Sequence, residues 1–260
     1  MLIVTADDIG RTREATDNSL HCYRLGLITS SSAMVFMSDS ERAAESALSA
    51  GLESGLHLNL DLPFDTQSLP PRLRHHHQQV VRYLGKWKWT QIIYNPSLRE
   101  SFRYVFQAQY DEYRRLFGEE PLKIDGHHHM HLSMNMIADR VIPPGIRVRR
   151  NFTFGRGEKD LINRFYRKLL DHWLARRYIC TDAFFSIEPL QDRSRLKKNI
   201  ALANSRHVEI MTHPGVQEQY EFLLGPEYRT LIQDIPMGTH RMLSPIPRQE
   251  HSLDASTGRR

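Results

Sequence analysis

Residues 124–131 read Ile-Asp-Gly-His-His-His-Met-His and close a candidate strand at residues 122–126. In an extended chain side chains alternate between two faces, so the odd-numbered residues from Asp125 to His131 would share one side. In a helical chain His127 and His131, four residues apart, would share one face instead. Either geometry brings imidazoles within reach of one divalent cation. The run therefore predicts a metal site at the end of a strand.

Adjacent carboxylates end a second apolar run, at the start of the chain. Leu2-Ile3-Val4 leads into Thr5-Ala6-Asp7-Asp8-Ile9-Gly10. Two neighbouring carboxylates at a strand end are costly unless a cation or a proton separates their roles. One can bind a metal while the other takes a proton from bound water. The pair is therefore a second candidate for the same chemistry.

Two further strand-like segments carry histidines. In Gly55–Leu60 the leucines share one face and His57 and Asn59 the other, a pattern equally typical of an ordinary amphipathic strand. Val208–Thr212 runs into His213-Pro214-Gly215, an apolar stretch followed by turn residues. Taken singly, this segment favours neither a catalytic nor a structural histidine.

A third run, His75-His76-His77, lies between Pro70-Pro71-Arg72 and Gln78-Gln79. No apolar strand leads into it, and its flanks are turn-like and polar. We interpret it as a surface loop without a ligand role.

Composition indicates one soluble domain. The chain has 260 residues, a net charge of +5, 40% hydrophobic and 25% charged residues, enough to bury a core. The N-terminal apolar run is too short for a signal peptide and no stretch approaches a spanning helix, so we expect a cytoplasmic protein that does not bind membranes. Cys22 and Cys180 cannot form a disulfide framework and are expected to be packing residues.

The excess of basic over acidic residues raises the alternative that the protein has a nucleic-acid-binding surface. The sequence contains no recognisable nucleic-acid-binding motif, and a net charge of this size is common on solvated helix faces. We therefore expect no nucleic-acid partner. The arginines and lysines in question are spread over several elements: Arg147, Arg149, Arg150, Arg176, Arg177 and residues 193–198.

Strand-length apolar runs alternate with helical patterns. Ser38 to Glu41 has capping-box spacing before an alanine-rich helix that Gly51 can end, and Asn95-Pro96 opens a helix that ends at Gly118. Leu161, Phe165, Leu169 and Trp173 predict a third helix. Seven candidate strands between helices imply an α/β fold with a parallel, right-handed βα arrangement. They are residues 2–5, 28–36, 55–60, 122–126, 146–149, 178–185 and 208–212.

Loops that follow the strands of a βα barrel gather at one rim, so the candidate groups at strand ends should become neighbours. We expect a single catalytic domain over residues 1–247, with residues 63–90 a long excursion that covers the site. Residues 248–260 are expected to be a flexible tail.

Five motifs, in order and spanning nearly the whole chain, resemble the YdjC/ChbG family of carbohydrate deacetylases. This resemblance implies a seven-stranded parallel (β/α) barrel-like fold of the glycoside hydrolase/deacetylase type. It also implies a divalent metal that is usually magnesium, and removal of acetyl groups from N-acetylated oligosaccharides. The family usually has Asn at the position of Thr5 and Phe at that of Ile9, neither of which the mechanism requires. The motifs are Thr5–Gly10, Ile28–Val35, Gly55–Leu58, Asp125–His131 and Met211–Gly215.

The resemblance also implies roles for individual residues. Asp8, His57 and His127 match the metal ligands, Asp7 the base and His213 the acid. The ion would polarise the acetyl oxygen and lower the pKa of its water, Asp7 would take the proton, and His213 would protonate the departing nitrogen. Zn²⁺ or another divalent ion is an alternative to Mg²⁺, and a homodimer is compatible with the sequence.

Other residues are candidates for supporting roles. His129, His131 and Asp125 could orient the ligands instead of binding the ion. Arg149 could bind substrate or steer Asp7, or be a surface arginine. Trp87 and Trp89 could stack on sugar rings or anchor their loop.

Two other functions are compatible with these residues. Aspartates and histidines at a barrel rim also serve metal-dependent phosphoesterases and amidohydrolase-like hydrolases, for which we expect two bridged ions. A sugar-binding protein that retains the scaffold is the non-enzymatic alternative. It predicts that Asp7→Asn leaves function unchanged.

Overall fold

The computed structural model of the protein describes residues 1–66, 68–87, 89–154 and 170–244. Within these residues seven parallel strands form one sheet in the order β5-β4-β3-β2-β1-β7-β6. Each of the seven predicted strands is present, in a sheet that curls into a half-barrel. The strands are β1 (Leu2–Ile9), β2 (Ser30–Ala33), β3 (Ser54–Leu58), β4 (Lys123–Gly126), β5 (Arg147–Val148), β6 (Ala183–Ser186) and β7 (Val208–Thr212).

Helices connect consecutive strands, as parallel pairing requires. The helices with both ends in the described residues are α1 (Arg13–Arg24), α2 (Ser40–Ala50), α3 (Pro71–Leu84), α4 (Arg99–Phe117), α5 (Met134–Ala138), α6 (Arg193–Ala201), α7 (Gln217–Leu224) and α8 (Pro226–Ile232). None of the helices in the described ranges is both long and apolar enough to cross a bilayer.

The two faces of the strands differ in chemistry. Leu2, Val4 and Ala6 of β1 pack in the core between the sheet and the helices. Thr5 and Asp7 alternate with them and face the other way, where Thr5 donates to Glu209 and Asp7 accepts from Arg149. The half-barrel therefore has an apolar outer face covered by helices and a polar, charged interior.

Strand β1 is longer than predicted, so the carboxylate pair lies inside the strand. Ala6 pairs with Ser31 but Ile9 pairs with Ala33, so three residues of β1 advance against two of β2. This β-bulge coincides with a positive φ of 68° at Asp8. Bulges redirect side chains near functional sites, and this one lets Asp8 depart from strict alternation.

The predicted strand at residues 178–185 is divided in two. Ile179 forms a bridge with Arg147 of β5, whereas residues 183–186 pair with β7. The segment therefore forms one edge of the sheet as β6 and also contacts the opposite edge at β5, because a strongly curled sheet brings its edges towards each other.

Two helix predictions are confirmed and one detail is wrong. Gly51 (φ 70°) ends α2 and Gly118 (φ 71°) ends α4, as expected of left-handed C-terminal positions. The cap of α2 is Asp39 and not Ser38, so the capping box is not formed. Instead the Ser40 hydroxyl donates to the Met34 carbonyl and accepts from the Met37 N–H, which fixes the entry to the helix.

The interpretation of His75-His76-His77 as a surface loop is wrong, because these residues lie on α3. Leu73, His77, Val80 and Leu84 form its buried stripe at helical spacing. His77 stacks on Phe64 with ring centroids 3.6 Å apart and donates from Nε2 to the Asn59 carbonyl at 3.2 Å. Burial lowers the pKa of His77 to about 4. The sequence reasoning missed this because a neutral histidine can replace an apolar residue on a helix face.

The remaining predicted segments lie partly outside the described residues. Residues 170–177 are helical and Trp173 packs against the core, but Leu161, Phe165 and Leu169 lie outside the described ranges. The predicted tail at 248–260 also lies outside them, so the domain boundary at residue 247 stays a prediction. Cys22 is buried in the core and Cys180 packs against it, in agreement with packing roles.

Candidate metal centre and active site

Three side chains from distant parts of the chain converge at the carboxyl ends of the strands. Asp8 is on β1, His57 on β3, and His127 follows β4. The Asp8 Oδ1 atom lies 3.3 Å from His57 Nε2 and 3.0 Å from His127 Nδ1. One ligand atom from each residue lies within 4.8 Å of the others, and all three residues are buried. The structure thus brings together the residues that the sequence proposed as ligands.

His57 is oriented by Asp125. Parallel pairing of β3 with β4 puts the two residues side by side, and His57 Nδ1 donates to Asp125 Oδ1 at 2.7 Å. The Nε2 atom is buried and has no hydrogen-bond partner. A histidine whose one nitrogen donates to a carboxylate and whose other nitrogen is unsatisfied is the usual arrangement of a metal-binding imidazole. Burial opposes a charge on His57, but Asp125 and Asp7 outweigh it and raise the pKa to about 10.

Asp8 is held as a carboxylate. Burial would raise its pKa, but the hydrogen bond with His127 and the charge of the nearby His57 imidazole lower it well below the ordinary range. Its Oδ2 atom accepts from Arg11 at 2.9 Å. The Oδ1 atom therefore faces the two imidazoles and Oδ2 faces the half-exposed arginine at the rim.

Asp7 lies beside this cluster. One of its oxygens lies within 4.8 Å of a His57 nitrogen, in a group that also includes Asp125. Arg149, directly after β5, donates Nη1 to Asp7 Oδ2 at 2.6 Å and Nη2 to Oδ1 at 2.7 Å. Both side chains are buried. The alternative of a surface arginine is therefore wrong for Arg149, which holds the carboxylate proposed as the base.

Two charged residues that the sequence reasoning did not single out complete the interior. Glu209 Oε1 lies 2.9 Å from Arg149 Nη2 and from Lys123 Nζ, and Lys123 Nζ lies 2.8 Å from Asp125. Burial would raise the pKa of Glu209, but Arg149 and Lys123 lower it well below its usual range. The sequence did indicate that Lys123 and Glu209 are buried, because each stands between apolar neighbours inside a predicted strand.

Gly55 makes the space for Lys123. A Cβ atom at Gly55 would lie 2.3 Å from the Lys123 Cγ and 2.8 Å from the Lys123 carbonyl oxygen. Such distances are shorter than van der Waals contact, so any larger residue would displace β4 or the lysine. The glycine of the Gly-Leu-His-Leu motif is thus required by the interior network.

The histidine run adopts neither of the two geometries considered from sequence. Residues His127–Leu132 form tight turns with left-handed φ at His128 (47°) and His129 (60°). These turns spread the imidazoles in different directions, so the odd-numbered histidines do not share one ion. The turn approaches Gly126 so closely that a Cβ there would lie 2.9 Å from the His131 amide nitrogen.

The other histidines of the run have separate contacts. His128 is exposed and bonds Asp61 at 2.7 Å. His129 packs edge-on against Phe152, with ring centroids 4.5 Å apart, and burial lowers its pKa. His131 donates from Nε2 to the Arg149 carbonyl at 3.0 Å, and burial lowers its pKa to about 4. His131 therefore supports the segment that carries Arg149.

His213 stands at the same rim. The β1–β7 pairing ends at Ala6 with Thr212, which places His213 next to Asp7 along the ladder. Its backbone N–H donates to Gln219 Oε1 at 2.7 Å, and its side chain is half-buried.

Trp87 lies elsewhere, after α3, where it is 62% exposed with the Lys86 ammonium 4.8 Å from its ring. Its role in substrate binding stays a prediction.

Fold and site together define a curled βα half-barrel with an Asp-His-His cluster at the carboxyl ends of its strands. The chain belongs to the YdjC-like protein family, whose model matches residues 1–234. The resemblance drawn from the motifs is therefore confirmed.

Relatives with assigned names match part of this chain. Chitooligosaccharide deacetylases from Proteus mirabilis and from Klebsiella pneumoniae subsp. pneumoniae are 33% and 32% identical over 133 residues. One from Serratia marcescens is 32% identical over 135 residues. Each match covers 51% of this chain and 50 to 51% of the relative, so the chain spans about half the length of the curated relatives it matches.

A solved structure shares the fold over nearly the whole chain. It is a proposed cellobiose-phosphate cleavage protein from Enterococcus faecalis V583, with a TM-score of 0.64 and 18% sequence identity. The match covers 92% of this chain and 97% of the other. At this identity the likeness concerns the fold alone.

Proposed function

We propose that this protein is a metal-dependent hydrolase that removes acetyl groups from N-acetylated sugars or oligosaccharides. The observation that carries the proposal is the convergence of Asp8, His57 and His127 beside Asp7, with His57 Nε2 buried and unsatisfied. The names of the matching relatives support the same reaction.

The charge of the site fits one divalent cation. The buried groups around it comprise four carboxylates against two cations, Lys123 and Arg149, when the histidines are neutral. Apart from the half-exposed Arg11, two negative charges are thus left without a partner, and a buried charge is costly unless paired. The carboxylates are Asp7, Asp8, Asp125 and Glu209.

Asp8, His57 and His127 would hold the ion. His57 would then bind as a neutral imidazole, without the proton whose charge otherwise offsets one of the carboxylates. Magnesium is the usual metal implied by the family resemblance. Two imidazoles among three donors also suit zinc, whereas magnesium prefers oxygen ligands. A comparison of both metals is therefore part of the test.

The ion would supply polarisation of the acetyl carbonyl and a lower pKa of water. Asp7 takes one proton from the attacking water as its oxygen bonds to the acetyl carbon. Arg149 fixes the direction of Asp7 through its two hydrogen bonds, and each Asp7 oxygen retains a second lone pair for that proton. The carbon–nitrogen bond then breaks, acetate leaves, and protonated His213 gives the amine nitrogen its proton.

The test is acetate release from a panel of N-acetylated mono- and oligosaccharides by protein loaded with Mg²⁺ or Zn²⁺. We expect activity that Asp8→Ala and Asp7→Asn each reduce by at least about 100-fold, the scale of losing a base or a ligand. Equal activity in Asp8→Ala would contradict the ligand assignment. Saccharide binding without acetate release, unchanged by Asp7→Asn, would favour the sugar-binding alternative.

One observation favours a second candidate, a metal-dependent phosphoesterase or amidohydrolase-like hydrolase. Asp61, His127 and His128 form another group of potential ligands that shares His127 with the first. Two ions about 3.5 to 4 Å apart are typical of such enzymes. Two ions bound per chain, one of them lost in Asp61→Asn, together with hydrolysis of phosphoesters, would support this function over deacetylation.

A further inference from the structure

A short segment after α8 closes the amino end of the half-barrel, and we call residues 236–243 the strap. Two backbone hydrogen bonds of 2.7 and 2.9 Å join its first residues to Leu2 of β1. At its other end the Leu243 carbonyl accepts from Arg147 Nη2 of β5 at 3.1 Å. The strap therefore crosses the sheet at the amino ends of the strands, on the side opposite to the proposed active site.

One side chain of the strap, His240, contacts the charged interior. Its backbone N–H donates to Glu53 Oε1 at 2.8 Å, and its Nδ1 atom lies 3.2 Å from Ser30 Oγ. The Nε2 atom is buried and lies 3.6 Å from Glu209 Oε1. The imidazole, which is 3% exposed, thus lies against the carboxylate that accepts from Arg149.

A groove of about 790 Å³ lies outside the strap. Glu53, Thr239 and Arg241 line it, together with the carboxyl-terminal turns of α1, α2 and α4. His240 stands between two of these lining residues in sequence, but its buried ring is turned away from the groove and towards Glu209, which is 1% exposed. The imidazole therefore separates the groove from the interior.

Water in the interior would weaken the contacts that hold the proposed base. Ion pairs are stronger where water is excluded, and Arg149 Nε and Nη2 donate to Glu209 Oε1 at 3.0 and 2.9 Å. The same guanidinium donates to both oxygens of Asp7. A hydrated glutamate would hold the guanidinium less firmly, and the carboxylate of the base would lose its fixed direction.

From these contacts we propose that His240 is a positioning residue. Its ring excludes water from the amino end of the interior and so keeps Arg149 and Asp7 in their paired geometry. The catalytic part of this inference rests on the proposed function, whereas the exclusion of water does not.

The first experiment measures hydrogen exchange and needs no substrate. The Arg149 Nε–H, assigned by its loss in Arg149→Lys, is followed by NMR spectroscopy after transfer into D₂O. We expect His240→Ala, which opens the interior to the groove, to speed this exchange at least about ten-fold more than that of the slowest backbone amides, which report global unfolding. Glu53→Ala, which removes the acceptor of the His240 N–H, should act in the same direction. Glu119→Ala is the matched control, because Glu119 lines the same groove and bonds Arg241 at an exposed position.

The second experiment measures acetate release from the best substrate of the saccharide panel. His240→Ala should lower kcat about ten-fold with a smaller change in KM, the effect of a displaced catalytic group. His240→Gln, which restores a polar side chain of similar reach, should recover most of the loss. Glu119→Ala should match the unchanged protein in both constants.

The outcomes separate the strap from the reaction. Arg149 exchange that follows the backbone amides in both His240→Ala and Glu53→Ala would overturn the inference and leave the proposed function intact. Should His240→Ala fail to fold, the result with Glu53→Ala decides. Faster exchange in the variants without acetate release by the unchanged protein would reject the deacetylase and retain the exclusion of water. Faster exchange with an unchanged kcat would overturn the positioning role.

Discussion

Arg149 donates to both carboxylate oxygens of Asp7, at 2.6 and 2.7 Å, across 142 positions of sequence. Neither side chain is accessible to solvent beyond 1%. A planar guanidinium in this paired geometry sets the direction of the carboxylate. Because Asp7 stands beside the Asp8, His57 and His127 cluster, this pair connects the buried interior to the proposed chemistry.

Replacement of Arg149 by lysine should impair catalysis more than substrate binding. Lysine keeps the charge but cannot bind both oxygens at once, so Asp7 would lose its fixed direction. We expect kcat for acetate release to fall about 100-fold, the effect of a misplaced catalytic group, with a smaller change in KM. Arg150→Lys is the control, since Arg150 bonds Asp171 and not the interior carboxylates. An unchanged kcat in Arg149→Lys would contradict the positioning role.

Divalent cations should stabilise the protein through Asp8. A ligand present at 100 times its Kd adds about 2.7 kcal/mol to the free energy of unfolding, so the melting temperature should rise by several degrees. Asp8→Asn should abolish the rise, whereas Asp61→Asn should retain it if one ion binds. The measurement is scanning calorimetry after chelation, with and without added Mg²⁺ or Zn²⁺. A rise that survives in Asp8→Asn would place the ion elsewhere.

Glu209→Gln should destabilise the fold. The amide removes a negative charge that Arg149 and Lys123 both contact, and breaking a buried ion pair from one side costs about 3 to 5 kcal/mol. Urea denaturation measures this loss, and Glu221→Gln at an exposed helix position should stay within about 0.5 kcal/mol of the unchanged protein. Lys123 keeps its contact with Asp125 in this variant, so adding Lys123→Met should cause a further loss, but a smaller one than Lys123→Met causes alone, because the Lys123–Glu209 pair is already broken. Strictly additive losses would show that the two charges do not interact.

His77 should make stability fall in acid. Its pKa is about 4 in the folded protein, below the ordinary value of 6.5, so between these values the unfolded chain binds a proton that the folded chain does not. The full stability is therefore present above pH 6.5 and decreases as the pH falls towards 4, by about 3 kcal/mol across the window.

The variant His77→Phe tests this pH dependence. Phenylalanine can keep the stack on Phe64, and the Asn59 carbonyl still accepts from Gln109. The difference in unfolding free energy between pH 7 and pH 4.5, measured in urea, should be about 2 to 3 kcal/mol smaller in the variant. His75→Phe, at an exposed position of the same helix, should show the pH dependence of the unchanged protein. Identical slopes in His77→Phe would contradict the assignment.

Much of the architecture could be predicted because it depends on local patterns. A short apolar run followed by turn residues predicts a buried parallel strand whatever its partners are. Strands β1 and β7 follow this rule, whereas β2 is polar and β3 alternates. The expectation that Asp8, His57 and His127 meet at one rim depended only on the strand ends. The division of residues 178–185 did not follow, since only the curl of the sheet makes Ile179 contact the opposite edge.

The site was less predictable than the sheet. The histidine run gave the right neighbourhood but not its geometry, because left-handed residues at His128 and His129 depend on tight packing around Gly126. The bulge at Asp8 and the burial of His77 likewise arise from contacts with other strands and helices. A local pattern carries no information about such contacts.

By itself, the sequence determined which residues stand at the carboxyl ends of strands, because the alternation of apolar runs and helices is a property of neighbouring residues. Only the tertiary structure decided how Asp7, Asp125 and Glu209 share Arg149 and Lys123 in the interior. Their charges can be buried only where they are paired, and these ion pairs exist only once β1, β4, β5 and β7 have brought the residues within hydrogen-bonding distance.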